Sequence, residues 1–405
     1  MKNIPKLRFP EFVNAGEWEE KIFSSYIKLY RGSSPRPIQE YLTQDVFGVN
    51  WIKIGDTKNA INFTIDKVEE KITSKGAEKS RKVEIGELIL ANSMSFGKTY
   101  ELKIEGCIYD GWFVLREYEE YFYKPFLLQL LNSEYMQQQY KNLSAGGIVQ
   151  NISGDIVNKT MIFHTSKKEQ QKIADCLSSV DSLISAQSQK VELLKEHKKG
   201  LMQQLFPQDT EEVPKLRFPE FKNATKWEEK RLDSIADVVP SGDLDPECFS
   251  LIPTDKHIYP VYSNSVTEEG LYGYYTYSKY EKNSVTITAR GTLGVAFTRH
   301  QEFMGIGRLL VVSNLQNTLP YFLKESWNYL AKIPLENGGI PQLTAVKAKA
   351  VLLAIPKPKE QQKIADCLSS IDEQISSQTR KLKTLKEHKK ALMQQLFPNA
   401  NSKDK

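Results

Sequence analysis

Glu169–Ser179 reads EQQKIADCLSS, and Glu360–Ser370 repeats it without a change. The ends of the two copies match as well: LKEHKK-x-LMQQLFP occupies Leu194–Pro207 and Leu385–Pro398. A copied stretch of this length is a structural unit used twice, and it is read before any local motif.

Each copy carries apolar residues at alternating spacings of four and three. The first stripe runs Ile173, Leu177, Val180, Ile184, Gln187, Val191, Leu194, Lys198, Leu201, Leu205; the second runs Ile364, Leu368, Ile371, Ile375, Gln378, Leu382, Leu385, Lys389, Leu392, Leu396. That is an a/d seam over about five heptads. Gly200 is the only glycine or proline inside, so each copy is expected to be one long helix of about 57 Å. The nearest apolar partner for either seam is the other copy.

The flaws in the stripe indicate direction. A parallel pair in register would set Lys198 against Lys389 inside the seam, two ammonium groups with little water between them. An antiparallel pair moves them to opposite ends, where each can reach outward past its partner. The expected arrangement is therefore antiparallel. Gln187 and Gln378 fall near the middle of their stripes, where a buried amide can fix register at some cost in stability.

A second repeat precedes the first. PKLRFPEF followed by WEEK occurs at Pro5–Phe12 and Trp18–Lys21, and again at Pro214–Phe221 and Trp227–Lys230. The 405 residues thus run twice through one plan: a short opening motif, a globular stretch and a long helix. The expected boundaries are a first globular domain over 1–165, a helix over 166–207, a linker over 208–213, a second domain over 214–357, a helix over 358–398 and a disordered tail over 399–405. Both globular stretches read as α+β, with strand-like runs at Gly86–Ala91 and Ser284–Ala289 and helix-like segments at Pro125–Asn142 and Tyr321–Lys332.

Composition excludes several classes. No apolar run approaches a membrane span and the N-terminus lacks a signal-peptide core, so a cytoplasmic protein is expected. The four cysteines show neither paired spacing nor histidines at metal spacing, which argues against a disulfide framework or a metal site. Cys176 and Cys367 share one repeat position and read as small hydrophobes beside the seam. The net charge is +5, and most of the excess lies on the helices. The globular stretches are close to neutral, a weak electrostatic footprint for a nucleic-acid binder.

Catalytic motifs fail on context. Ser95–Thr99 resembles the end of a phosphate-binding loop, but Asn92 stands where the first glycine belongs. Phe303–Gly307 resembles a cofactor-binding turn of methyltransferases without the catalytic signature that accompanies it, and reads as a glycine bend. His197 and His388 recur near the helix ends with no nucleophile in view. Glu117–Glu120 and Glu268–Glu269 read as solvated loops. The chain reads as non-enzymatic, and the catalytic set is empty.

Recognition residues are better supported. Arg31, Ser33, Ser34 and Arg36 form one loop of arginine, hydroxyls and glycine, and Arg290, Gly291 and Thr292 form another. Arginine grips guanine bidentately, hydroxyls bind phosphate and glycine admits close backbone approach. The strand Ile89–Ala91 leads into a loop carrying Ser93 and Ser95 and ending at Gly97, with the candidate Lys98 next to it; Ile287–Ala289 leads into a similar loop ending at Gly294. A GGI-x-Q motif precedes each long helix, at Gly146, Gly147 and Gln150 and at Gly338, Gly339 and Gln342. These glutamines, with Asn151, can offer amides to adenine, and Asn264 is a further candidate for DNA contact.

With both repeats and both GGI-x-Q motifs in place, the chain closely resembles the DNA-specificity subunit of type I restriction-modification systems over nearly its whole length. The resemblance implies two target recognition domains separated by two long helices in an antiparallel coiled coil, related by an internal pseudo-two-fold repeat. It implies that each domain reads one half of a split site in double-stranded DNA. It further implies docking of two methyltransferase subunits, which carry S-adenosylmethionine and methylate adenine, and of endonuclease/translocase subunits; no cofactor is expected on this chain itself. Two other classes compete: a long-armed scaffold binding proteins, and an enzyme fused to its own reader.

Overall fold

A computed structural model describes residues 3–93, 97–144, 151–208, 211–333 and 341–398. The chain divides into two compact units, Met1–Ser188 with Arg380–Lys405, and Gln189–Thr379. Each unit therefore holds the first part of one long helix and the last part of the other. The tail expected to be disordered lies outside the described residues.

The long helices span Lys167–Leu205 and Pro358–Leu396, 39 residues each. Both stop at the leucine of LFP, because the residue preceding a proline is driven out of helical geometry. The repeated Glu-Gln-Gln explains where they start. In the first unit Gln170, fully buried, accepts from the Tyr123 amide at 2.7 Å and donates to the Tyr121 and Thr165 carbonyls. In the second, Gln361 does the same with Leu319, Asn317 and Pro356.

The glutamates of the motif receive the opening repeat. Arg8 forks onto Glu169 at 2.7 and 2.9 Å, and Arg217 onto Glu360 at 2.7 and 2.7 Å. The closing LFP sits on the same motif. Leu7 donates its backbone N–H to the Gln395 carbonyl while Phe397 packs edge-on to Trp18; Leu216 and Gln204, then Phe206 and Trp227, repeat this in the second unit. The three repeated phrases are thus one packing unit formed twice.

Along the helices, Ile173, Leu177, Val180, Gln187, Val191, Ile364, Leu368 and Ile371 are buried, and Ile184, Leu194, Leu201, Ile375, Gln378, Leu382, Leu385 and Leu392 half-buried. His197 and His388 are exposed. Cys176 and Cys367 pack, partly buried, against the cores of their units. The two stripe lysines depart from the expected escape to water. Lys389 lies 2.7 Å from both carboxylate oxygens of Asp181 in the first unit, and Lys198 lies 2.7 and 2.8 Å from those of Asp372 and 2.8 Å from Glu325 in the second. An available carboxylate one repeat position away outcompetes solvent.

Each globular stretch is two sheets and a short closing ribbon. In the first unit one sheet runs in the order Lys28–Arg31, Trp112–Arg116, Leu88–Ala91, Thr99–Leu102, Thr64–Ile65, and the other Leu42–Thr43, Glu70–Ile72, Val49–Ile52, Gly106–Ile108, Arg81–Val83. The second unit keeps four strands of each. One sheet is Asp237–Pro240, Leu310–Ser313, Ser284–Ile287, Ala296–Arg299, and the other Phe249–Ser250, Leu271–Tyr275, Tyr259–Tyr262, Met304–Gly305. The ribbons pair Glu19–Ile22 with Met161–His164 and Glu228–Arg231 with Leu352–Ile355.

The segment expected as one helix over Pro125–Asn142 is two, Lys124–Leu131 and Glu134–Ser144. The break falls at Ser133, whose hydroxyl accepts from the Met136 N–H at 3.4 Å and caps the second helix, while the buried Asn132 amide accepts from the Thr99 N–H at 3.1 Å and donates to the Thr99 carbonyl at 2.8 Å. In the second unit Asn328 makes the same clamp on Ala296 from within the helix Pro320–Leu330.

Candidate nucleic-acid interface

Two turns and a hairpin meet at one edge of each unit. In the first unit the strand Lys28–Arg31 runs into Gly32, whose N–H reaches the Trp112 carbonyl at 2.9 Å. A Cβ there would stand 2.0 Å from the Tyr109 carbonyl oxygen, so only glycine lets this loop close on the turn at Tyr109–Gly111. That contact makes Asp110 a hub. Its carbonyl accepts from Arg31 Nε at 3.3 Å and Asn92 Nδ2 at 2.8 Å; its carboxylate accepts from Ser34 at 2.7 Å and lies 3.6 Å from the exposed Arg36.

Of the residues singled out by sequence in this unit, Arg31, Ser34 and Arg36 therefore converge. Ser33 is tied instead to the Lys79 carbonyl. Ile152 donates to the Asn92 carbonyl at 2.7 Å, which brings the exposed Asn151 beside the half-buried Ser93. Lys98 sits 5.8 Å over the Phe63 ring, half-buried; burial and the nearby Lys141 push its pKa below the usual lysine value. Ser95, Gly146, Gly147 and Gln150 lie outside the described residues, as do Gly338 and Gly339.

The second unit builds the same edge with other side chains. Ser241 takes the place of Gly32, its N–H 2.7 Å from the Leu309 carbonyl. Asn264 is not a free amide offered to a base. Its Nδ2 donates to the Gly307 carbonyl at 2.6 Å and its Oδ1 accepts from the Ala289 N–H at 2.7 Å. Leu343 donates to the Ala289 carbonyl, placing Gln342 beside the hairpin that carries Arg290, Gly291 and Thr292, all three exposed. The Phe303–Gly307 motif is a two-residue strand, Met304–Gly305, followed by Gly307 with φ +68°.

These contacts correct the pairing suggested by sequence, which set Ala91 against Ala289. Gly97 donates to the Ala91 carbonyl and Ala91 to the Lys98 carbonyl; Gly294 donates to the Thr288 carbonyl and Thr288 to the Val295 carbonyl. Ala91 therefore matches Thr288, and the two loops have equal length. The glycine that ends each is required: Gly97 and Gly294 have φ +70° and +75°, and a Cβ would press on Tyr140 or Ile333.

By the same bonding, Asp110 corresponds to Gly307, Gly111 to Arg308, and Ser34 and Arg36 to Asp243 and Asp245. The basic loop and acidic turn of the first unit become an acidic loop and basic turn in the second. Sequence reading missed Asp110, Asp243 and Arg308, because the matching frame lies in backbone bonds that no motif records.

One frame presented twice with exchanged side chains defines an internally duplicated protein. The chain belongs to the type I restriction modification DNA specificity family, whose domain matches residues 17–196 and 224–387. A protein of Mycoplasma pneumoniae named as a type I specificity subunit is 28% identical over 206 residues, 50% of this chain and 52% of that one, so the chain spans about half the length of that relative. The crystal structure of the S subunit of a type I restriction-modification system from M. genitalium has the same fold, with TM-score 0.63 at 16% identity over 98% of this chain and 99% of that one. A chain from a structure of type I system assembly and conformational transition gives TM-score 0.54 at 17% identity, covering 95% and 98%. Among the described residues no helix is long and apolar enough to cross a membrane, and no group of His, Cys, Asp or Glu could hold a metal ion.

Proposed function

We propose that this chain is the non-catalytic specificity subunit of a type I restriction-modification complex, working in the cytoplasm. Each globular domain (1–165 and 214–357) reads one half of a split, asymmetric site in double-stranded DNA. The helices 166–207 and 358–398 run antiparallel as a coiled coil that fixes the distance between the halves. The observation that carries this reading is the common edge: one frame of hairpin and turn, formed twice, with unlike charged residues exposed on it.

The helix arrangement draws support from the ion pairs Lys389–Asp181 and Lys198–Asp372. They join equivalent repeat positions, each linking an early turn of one helix to a late turn of the other. A helix of about 57 Å spans some 17 base pairs at about 3.4 Å each, leaving untouched DNA between half-sites. Near-neutral domains suit a subunit whose partners supply backbone contact. Two methyltransferase subunits, which bring S-adenosylmethionine and methylate adenine, dock on the chain, as do endonuclease/translocase subunits.

Mapping methylated adenines in DNA exposed to the chain with its methyltransferase tests this. The expected result is a bipartite motif with a fixed gap. A contiguous motif, or methylation without sequence preference, contradicts it. The isolated chain binds weakly and with strong salt dependence; equally tight binding with and without methyltransferase at fixed salt contradicts the division of labour.

A further inference from the structure

The second domain's arginines share a single support. The Asn264 side chain bonds the Gly307 carbonyl with one end and the Ala289 N–H with the other. The next residues are Arg308 and Arg290. One half-buried amide thereby pins two separate turns, each of which presents an arginine. Both arginines are exposed, and neither forms an ion pair or side-chain hydrogen bond with another described residue.

Arg308 carries a second mark. Its φ is +67°, the left-handed region that a side chain with Cβ enters at a cost. The equivalent position in the first domain is Gly111. Nothing in the fold of the second domain needs an arginine there, since its backbone bonds are made by neighbours: Leu309 donates to the Ile306 carbonyl and accepts from Ser241. A strained, solvent-facing arginine with no partner in its own domain is placed for something outside it.

We infer that Arg290 and Arg308 are the guanine-reading pair of the second half-site, and that Asn264 is the positioning residue that sets the distance between them. This rests on the DNA-reading function proposed above and names the chemistry of one half-site. The planar guanidinium donates in parallel to O6 and N7 of guanine in the major groove through a rigid fork, which the flexible ammonium of lysine meets less well. The first domain cannot use this pair. Gly111 stands at the position of Arg308 and Ser93 at that of Arg290, so its half-site is read by different chemistry.

The test uses the full chain with its methyltransferase subunits and a plasmid library of randomised sites, with methylated adenines mapped by sequencing. Arg308→Gly removes the side chain and relieves the left-handed backbone, so its melting temperature stays level or rises. One G·C position in the second half-site should lose discrimination by about ten- to a hundredfold, with the first half-site unchanged. Arg290→Ala should relax a different position of the same half-site. Asn264→Ala should relax both together, with methylation at the first half-site's motif intact as the control for folding. Arg308→Lys should fail to restore specificity.

An unchanged motif in Arg308→Gly overturns the inference, as does full rescue by lysine, which would reduce Arg308 to a phosphate contact. Relaxation confined to A·T positions overturns it too. These results leave the proposed function standing, because the wild-type motif remains bipartite. A wild-type complex with no bipartite motif removes both.

Discussion

Replacing Arg8 with Met strands a carboxylate. Glu169 is 1% exposed and Arg8 6%, and the guanidinium meets both carboxylate oxygens while also donating to the Gly16 carbonyl at 2.6 Å. Removing one partner of such a pair leaves a buried charge with no counterion and costs about 3–5 kcal/mol. For a unit of this size, each kcal/mol moves the melting temperature by about 2–4 °C. The expected shift is thus about 6–20 °C, confined to the first unit's transition in a calorimetric scan. Glu169→Gln in the Arg8→Met background removes the stranded charge but keeps an acceptor for the Thr165 hydroxyl, which bonds the same carboxylate. It should recover at least half of the loss. The reasoning fails if Arg8→Met shifts the transition by less than about 2 °C, or if the second substitution recovers nothing. Arg217→Met should act in the same sense on the second unit. There Trp227 Nε1 donates to Glu360 at 3.3 Å where the Thr165 hydroxyl serves Glu169, so each stranded carboxylate keeps one donor and the shift should be similar.

Gly97→Ala should destabilise by about 2 kcal/mol or more, since it combines a left-handed backbone with a Cβ 2.4 Å from the buried Tyr140 ring; urea unfolding measures it. For Asp372, burial by itself would raise the pKa, but Lys198, Tyr321 and Lys324 outweigh it and hold the carboxylate below its usual 3.8. A depressed folded value makes the contribution full above that ordinary value and lost as pH falls through the lower folded one. The stability gap between wild type and Asp372→Asn should therefore be constant near neutrality and close in acid below about pH 4; a gap that widens there contradicts the assignment. Replacing Gln187 and Gln378 together with Leu should raise the melting temperature and loosen the gap tolerated between half-sites, measured by methylation of sites with varied spacers. An unchanged spacer preference removes their role in register.

The helices were legible almost to the residue, because a seam at fixed spacing with only Gly200 interrupting leaves few alternatives. The purpose of PKLRFPEF was not legible. Arg8 finds Glu169 across 161 positions, and nothing local marks either residue as half of a pair. Local reading also carries one helix through Asn132 and Ser133, where the Ser133 hydroxyl caps the start of a second helix. At the interface, the chance identity of Ala91 and Ala289 set the loops one residue out of register, and only the backbone bonds of Gly97 and Gly294 put them back. Asn264 is a candidate DNA contact by sequence, but both ends of its amide are already used inside the domain.

The exchange of charge between the two edges follows from how the frame is held. At this edge the matching bonds are made by backbone groups or by asparagine amides: Gly32 with Trp112 and Ser241 with Leu309, Asn132 with Thr99 and Asn328 with Ala296. None of the exposed side chains at the turn is needed for these bonds. Positions such as 36, 110, 243 and 308 can therefore change sign with little cost to the fold, whereas Gly97 and Gly294, glycine in both units, cannot change without moving the frame. With the proposed function, stability and specificity fall on different residues. New specificity should accordingly come from substitutions at the exposed turn positions, and substitutions at the glycines or the clamping asparagines should cost folding first.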